Sequence, residues 1–396
     1  MGAAAGEGVP HYSCDFYGDA FIQDPWPHYS AMRALGPVVF IPDLGNYALT
    51  QYAAVRAALR VFAQFESKHG VAGDAFGCEM LQGNTVASEP PRHTDLRRAM
   101  EPPLQRRALQ NIQSRIQSAA DALVNSVANG QEFDAISGFA QSLPLTVVRD
   151  LVGLPIGEQN KMLEWAGAAF DVLGVQNARG QAALEPIKQM RGFISARATP
   201  ESLKPGSWTH RIACAAAAGE IDPELAPFVI RDYINPSLDT TISAIGQMIW
   251  LLGRYPDQWA TLKQEPKLVP NAVHEAVRLS TPIRSFSRRA AADMAIGGVV
   301  IPEDARVMML YASANRDALE FENPDMFNVR RNARRPIGFG AGPHMCVGMH
   351  LALAEMEAIL RALLEKFERI EVSSPEIAMN NTVCAFSSLQ ARFIAR

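Results

Sequence analysis

Two long stretches of the chain place apolar residues at steps of three and four. Ile230, Ile234, Leu238, Ile242, Ile245, Ile249 and Leu252 form one stripe within 228–254. Leu353, Met356, Leu360, Leu363, Leu364 and Phe367 form another after Gly348. Both predict amphipathic helices. Pro236 interrupts the first stripe. It cannot donate a backbone hydrogen bond and it crowds the preceding turn, so a kink is expected there, freeing the carbonyl of Asp232. Residues 1–25 have no period and read as a polar surface arm. A short helix is expected over 27–35, two strands over 38–41 and 47–50 joined through Pro42 to Gly45, and a helix over 53–62. From 68 to 88 glycine-rich sequence without a period predicts a long loop. Glu89 to Arg98 opens the next helix, with its prolines in the first turn. Residues 105–230 read as mostly helical, broken at Gly130, Gly153-Leu-Pro155, Gly206 and Pro223. Alternating segments at 294–296, 299–301 and 307–310 predict strands, the first two turned by Gly297-Gly298. A late hairpin at 381–386 is expected to close a pocket. The pattern as a whole is mainly α with smaller β-sheets.

Composition narrows the class. The chain has 396 residues, 48% of them hydrophobic, and a net charge of −4. That is ample for a sizeable core and does not suggest nucleic acid or an anionic membrane as a bulk partner. Five scattered cysteines (Cys14, Cys78, Cys214, Cys346, Cys384) argue against a disulfide framework and for a reducing, cytoplasmic setting. The first residues lack the basic and apolar regions of a signal peptide, and Gly6 stands where a myristoylation site carries Ser or Thr. No apolar run of about 18 residues predicts a membrane span.

Chemistry concentrates at Phe339-Gly-Ala-Gly342-Pro-His344-Met-Cys346-Val-Gly348. Glycines permit a turn, and Cys346 stands at or just before a helix N-terminus, where free N–H groups and the helix dipole favour a thiolate. No Cys or His stands at zinc-ligand spacing from it. It is either a ligand for a soft metal centre or a buried structural cysteine. Four further groups carry candidate chemistry. His93 and Arg97, four apart, share a helix face that is either solvated or anion-binding. Asp239 and Thr240, just past Pro236, are an acid beside an alcohol or a helix-interior pair with local bonds. Glu275 and Arg278 are placed for an ion pair on one face. Arg288 is a ligand-facing or a solvent-facing arginine.

Phe339-x-x-Gly-x-His-x-Cys-x-Gly resembles the haem-thiolate signature of the cytochrome P450 superfamily, soluble bacterial type, with every fixed position filled. The resemblance extends in order along almost the whole chain. It implies one haem-thiolate monooxygenase domain over 1–396, with a long kinked helix over the haem. It implies haem b as cofactor, Cys346 as its iron ligand, and His93, Arg97, Arg288 and His344 as propionate partners. Asp239 and Thr240 resemble the oxygen-activating acid–alcohol pair, acting in proton relay. Ile234, Ser237, Ile283, Phe286 and Cys384 are expected in the substrate pocket, and Phe170, Leu173 and Val175 fall where the family covers its substrate. Pro236-Ser237 departs from the family's small-residue pair, and Pro336 stands where many members have His. Met326 stands where many members complete the Glu-x-x-Arg network with Arg or His. Backbone carbonyls or Arg330 are expected to replace it.

The same resemblance implies two electrons from a separate ferredoxin with its NAD(P)H-dependent reductase, and a chain acting as a monomer. Arg98, Arg106, Arg107, Arg330, Arg331, Arg334 and Arg335 are candidates for the docking patch, or are scattered surface charges. The expected reaction inserts one oxygen atom of O2 into a C–H bond of a small apolar substrate, by hydroxylation or O-dealkylation. Some runs are similar to members that oxidise methoxybenzoates and other small aromatics. Asp232 and Asn235, however, stand where serines hold a carboxylate in those members, and an aspartate there repels a benzoate. A phenol or terpenoid is an equal candidate. Two other classes stay open: a haem-thiolate enzyme that uses peroxide or catalyses a non-oxygenase reaction, and a haem sensor without turnover.

Overall fold

A computed structural model describes residues 8–153, 159–332 and 336–395. Leu154 and Pro155 of the expected break, the first residues of the arm, and Arg334 and Arg335 lie outside them. Helices dominate, and four small sheets lie beside them.

The apolar stripe around Pro236 folds into the longest helix, Ala226–Arg254. It packs against the helices Gln159–Val172 and Val269–Ser280 and the strand Arg369–Val372. Ile230, Leu238, Ile245, Ile249 and Leu252 are almost wholly buried, each worth about 1.5–3 kcal/mol relative to exposure. The helical assignment runs without a break through Pro236, which cannot donate the backbone hydrogen bond of that turn. The second stripe becomes Met349–Lys366, packed on Gln113–Ser126.

The strands Val38–Ile41 and Asn46–Leu49 pair antiparallel as expected. They join a five-stranded sheet, in which Arg306–Met309 lies between Asn46–Leu49 and Phe286–Ala290, with Phe65–Glu66 at the edge. Met294–Ile296 and Val299–Ile301 form their hairpin. Gly297 and Gly298 both take positive φ there (57° and 83°), which a two-residue turn matching strand twist requires.

Two expectations fail for the same reason. The arm contains the helix Asp19–Gln23 and buries Phe16, Phe21 and Ile22. The 68–88 loop contains the helix Ala75–Met80, capped by Asp74, and a helical turn at Thr85–Ala87. In both, tertiary burial of a few apolar side chains orders a segment too short to show a period. The strand Glu132–Asp134 was likewise without a signal.

Candidate functional site

Between the two long helices lies a cavity of about 270 Å³, mostly apolar. Tyr233, Pro236, Ser237, Thr240, Thr241 and Ala244 of Ala226–Arg254 line it from above, and Cys346, Gly348 and Leu351 from below. Ile234 and Asp239 are not among them. Ile234 belongs to the core, 1% exposed, and Asp239 borders a second cavity.

Cys346 precedes the helix Met349–Lys366 by three residues. Its N–H donates to the Phe339 carbonyl at 2.8 Å, closing the turn. Burial pushes its thiol pKa up; the backbone N–H groups of Gly348 and Met349 and the charge of Arg97 oppose this. The helix-end stabilisation is thus present but outweighed by desolvation. The turn has no slack. Gly342 has φ +71°, and a Cβ on it would stand 2.3 Å from the Leu59 carbonyl oxygen.

Around the cysteine stand the basic residues singled out by sequence. Arg97, Arg288 and His344 line the cavity. His93 sits just behind, its ring 4.3 Å from that of His344. Arg97 donates to Glu101 Oε1 (2.7 Å) and to the Met345 carbonyl (2.9 Å), tying helix Arg92–Met100 to the cysteine turn. Arg288 is 3% exposed and donates to its neighbour's carbonyl at Ser287. The Nε2 atoms of His93 and His344 are buried without hydrogen-bond partners. Glu89 Oε2 lies 3.8 Å from His344, beyond hydrogen-bond reach. Burial, then the positive His344 and Arg97, push His93 down to about 4. Buried polar atoms without partners are costly, and this cluster keeps three: Nε2 of His93, Nε2 of His344 and Oε2 of Glu89.

Thr240 Oγ1 donates to the Pro236 carbonyl at 2.6 Å and Ser237 Oγ to the Tyr233 carbonyl at 2.7 Å. Each hydroxyl proton is thus engaged, leaving lone pairs as acceptors. Ile283 and Phe286 line the cavity as expected, as do Phe170 and Leu173. Cys384 does not: its carbonyl accepts from Ser243 (2.7 Å) and Gln247 (2.6 Å), which draws its loop onto the central helix. Val175 packs instead with the N-terminal arm. The late hairpin pairs Glu376–Ile377 with Phe386–Ser388, and its loop borders the second cavity rather than the first.

Sequence reasoning named Asp232 and Asn235 at the polar end of the cavity but missed Arg231 and Asn84. Arg231 is 9% exposed, and its Nε and Nη2 have no partner; Asn84 Oδ1 and Asn235 Oδ1 are likewise unpaired. Asp232 is engaged by Thr85, whose N–H and hydroxyl donate to Oδ2 at 3.2 and 2.6 Å. Burial raises its pKa, and Arg231 opposes the rise. A cation beside the apolar stripe was the available signal.

Glu275 and Arg278 are wholly buried and bidentate, with both contacts at 2.8 Å. Arg278 also donates to the carbonyls of Asn315 (2.6 Å) and Pro324 (2.7 Å). The third member is Arg331, whose Nε lies 2.9 Å from Glu275. Arg330 instead pairs with Glu265 outside. Met326 is 53% exposed and contributes only its carbonyl. Asn315 bridges Thr281 (2.9 Å) and the N–H of Ile337 (2.8 Å), so the network reaches the cysteine turn. Among the patch arginines, Arg98 is paired with Asp95, Arg330 with Glu265, and Arg331 is internal.

A family model described as Cytochrome P450 matches residues 230–393. Cytochrome P450 CYP199A2 of Rhodopseudomonas palustris is 33% identical over 389 residues, spanning 97% of this chain and 94% of that protein. The chain belongs to the cytochrome P450 family. Linalool 8-monooxygenase of Pseudomonas putida is 29% identical, with 89% and 91% covered. The structure of Mycobacterium marinum CYP268A2 in complex with pseudoionone is 27% identical and superposes at a TM-score of 0.87, over 98% of this chain and 100% of that one. The chain is accordingly a haem monooxygenase whose cofactor is haem b and which draws on O2, a substrate and a redox partner. No helix among the described residues is long and apolar enough to cross a membrane.

Proposed function

We propose that Cys346 is the iron ligand of the haem and that the chain acts as one monomeric, cytoplasmic monooxygenase domain on a small apolar substrate with a single polar end. The observation that carries this is the basic cluster of Arg97, Arg288 and His344 lining a cavity floored by Cys346. Haem is a planar dianion at its propionates. Arg97, Arg288, His344 and, behind them, His93 are the groups that would hold these carboxylates, Arg in bidentate fashion. The cysteine turn would present Sγ to the iron, and coordination would deprotonate the thiol despite its burial.

When bound, haem with a thiolate ligand supplies the activation of O2 and the insertion of one oxygen atom into a C–H bond. The remaining work belongs to the chain. Thr240, its own proton committed to Pro236, offers an acceptor to protonated groups in the cavity. Asp239 stands on the adjoining face of the same turn, as a source of protons behind it. Ile283, Phe286, Phe170 and Leu173 exclude water and hold apolar surface. Arg231 supports a substrate carrying one hydrogen-bond acceptor, and Asp232 is held by Thr85 beside it. Linalool and pseudoionone, which the names of two similar proteins carry, are small apolar molecules with one oxygen. Aromatic compounds with one oxygen, including those open to O-dealkylation, fit the same description. Electrons would come from a ferredoxin with its NAD(P)H-dependent reductase. The docking patch reduces to Arg106 and Arg107 among the described candidates that lack an ion pair.

The ferrous–CO spectrum of the haem-loaded protein tests the ligand: a band characteristic of thiolate, lost in Cys346→Ala, is expected. A spin-state titration with phenols, terpenoid alcohols, ketones and benzoates tests the substrate class. Failure of every compound with an acceptor group, while plain hydrocarbons bind, would remove Arg231 from the reading. Thr240→Ala is expected to cut product formed per electron pair by about 10–100-fold. Unchanged coupling would end its assigned role.

A further inference from the structure

Arg231, Asp232 and Asn235 of the central helix, together with Asn84, line the first cavity. Arg231 and Asn235 are four apart and share a helix face. Asn84 is brought to them by its neighbour: Thr85 donates its N–H and its hydroxyl to Asp232 Oδ2 at 3.2 and 2.6 Å. The Asn84 carbonyl accepts from the Ser88 hydroxyl at 2.6 Å and from the Ala87 N–H at 3.1 Å, which fixes the backbone of that segment. The side chains stay short of partners. Arg231, Asn84 and Asn235 are 9%, 7% and 8% exposed. Yet Nε and Nη2 of Arg231 and Oδ1 of both asparagines have no hydrogen bond among the described residues. Phe228 places the guanidinium, its ring centre 4.8 Å from Arg231 Cζ. Arg92 and Arg191, the two other cations that act on Arg231, do not line the cavity. They donate to the carbonyls of Gly83 and Met80.

We propose that this end of the cavity is a specificity site for a primary carboxamide on the substrate, its oxygen on Arg231 and its N–H groups on Asn84 and Asn235. This rests on the proposed oxygenation of a small apolar substrate and names the polar group which that substrate carries. The count of hydrogen-bonding atoms selects the group. Nε and Nη2 of Arg231 offer two donors on one edge, and the two asparagine oxygens offer acceptors. A carboxamide has two lone pairs on oxygen and two N–H groups, so it answers all four. An alcohol answers both donors and one acceptor. A ketone or an ether leaves both acceptors unpaired, and buried polar atoms left unpaired cost affinity. A carboxylate likewise brings the asparagines no donor, and it would place a second acid beside Asp232. The head group also fixes where oxygen enters. Asn235 and Arg231 precede Thr240 by five and nine residues, roughly 8–13 Å along the helix. The atom oxidised is therefore at the end of the molecule opposite the amide.

The test is isothermal calorimetry on the haem-loaded protein with one para-ethyl aromatic ring. The ring bears in turn a primary carboxamide, a hydroxymethyl group, a methyl ketone, a carboxylate and a methyl group. The amide should bind most tightly, with the ketone about 10-fold weaker and the carboxylate below the alcohol. Asn235→Leu and Asn84→Ala should each cost the amide about 3–10-fold in affinity and leave the ketone unchanged. Arg231→Leu should weaken both by about 10–100-fold, and Asp232→Asn should raise the carboxylate relative to the amide. Mass spectrometry of the amide's product should find the new oxygen on the ethyl group. Tighter binding of the carboxylate than the amide in wild type overturns the proposal. So does an amide-to-ketone ratio unchanged in both asparagine variants, and these decide alone should Arg231→Leu fail to fold. Calorimetry needs no turnover, so the two readings fail separately. An amide preference in a protein lacking the thiolate CO spectrum would sink the monooxygenase reading and keep the site. A thiolate spectrum without an amide preference would sink the site alone.

Discussion

Two groups of buried arginines stand on either side of the cysteine turn, and they are built on opposite principles. Around Glu275 each charge is answered. Arg278 binds both carboxylate oxygens, Arg331 adds a third contact, and spare donors reach backbone carbonyls. Around the cavity only Arg97 meets a carboxylate at hydrogen-bond distance, Glu101 outside the cavity. Arg288 meets only a carbonyl and a tyrosine hydroxyl, and two histidine Nε2 atoms meet nothing. The first arrangement holds the fold together; the second is complementary to something outside the chain. Unpaired burial, which a fold has no reason to keep, is the better guide to function.

The largest effect should come from breaking the answered group. Glu275→Gln leaves two buried guanidinium groups without a carboxylate and should lower stability by about 3–5 kcal/mol. Denaturant unfolding reads this, and a loss below 1 kcal/mol would show that the network is not the structural member of the pair. Arg288→Leu should do the reverse. The haem-free chain should unfold no more easily, while haem release from the loaded protein should quicken by about 10–100-fold, the worth of one hydrogen bond to a charged group. Equal damage to both forms would erase the contrast.

Glu355 sharpens it further. This carboxyl faces the cavity floor, 2% exposed, and burial alone raises its pKa to about 8. The folded state therefore holds its proton more tightly than the unfolded state. Its contribution is fully present below about 4.5 and is lost as pH rises through 8. Glu355→Gln should flatten that slope and stabilise the haem-loaded protein by about 1–3 kcal/mol at pH 9. An unchanged slope would mean that Glu355 finds a partner in the loaded state. The smallest effect should be Met326→His, within about 0.5 kcal/mol. Arg331 already occupies the place that a histidine would serve.

How much of this was legible follows from how each feature is encoded. The cysteine turn and Glu275/Arg278 are local patterns, and they fold where their spacing puts them. Helix phase alone could not separate the two cavities: Asp239 and Thr241 are each one residue from Thr240, yet Thr241 lines the first cavity and Asp239 the second. What could not be read is how separate segments meet. Whether Arg330 or Arg331 turns inward depends on the path of the chain after Pro324. Thr85 reaches Asp232 across 147 positions, and Cys384 is drawn off the pocket by Ser243 and Gln247. The short helices at 19–23 and 75–80 owe their order to surfaces contributed from elsewhere.

Gly342 sets a limit on how this chain can vary. With its left-handed backbone pressed on the Leu59 carbonyl, it has room for a hydrogen and for nothing larger. Even an alanine would have to push the cysteine turn away from the segment at Leu59 and Arg60, and Cys346 would be carried with it. Substitutions at the distal wall can exchange one substrate for another while the enzyme survives. At Gly342 a single methyl group would displace the sulfur that the proposed iron ligation by Cys346 requires.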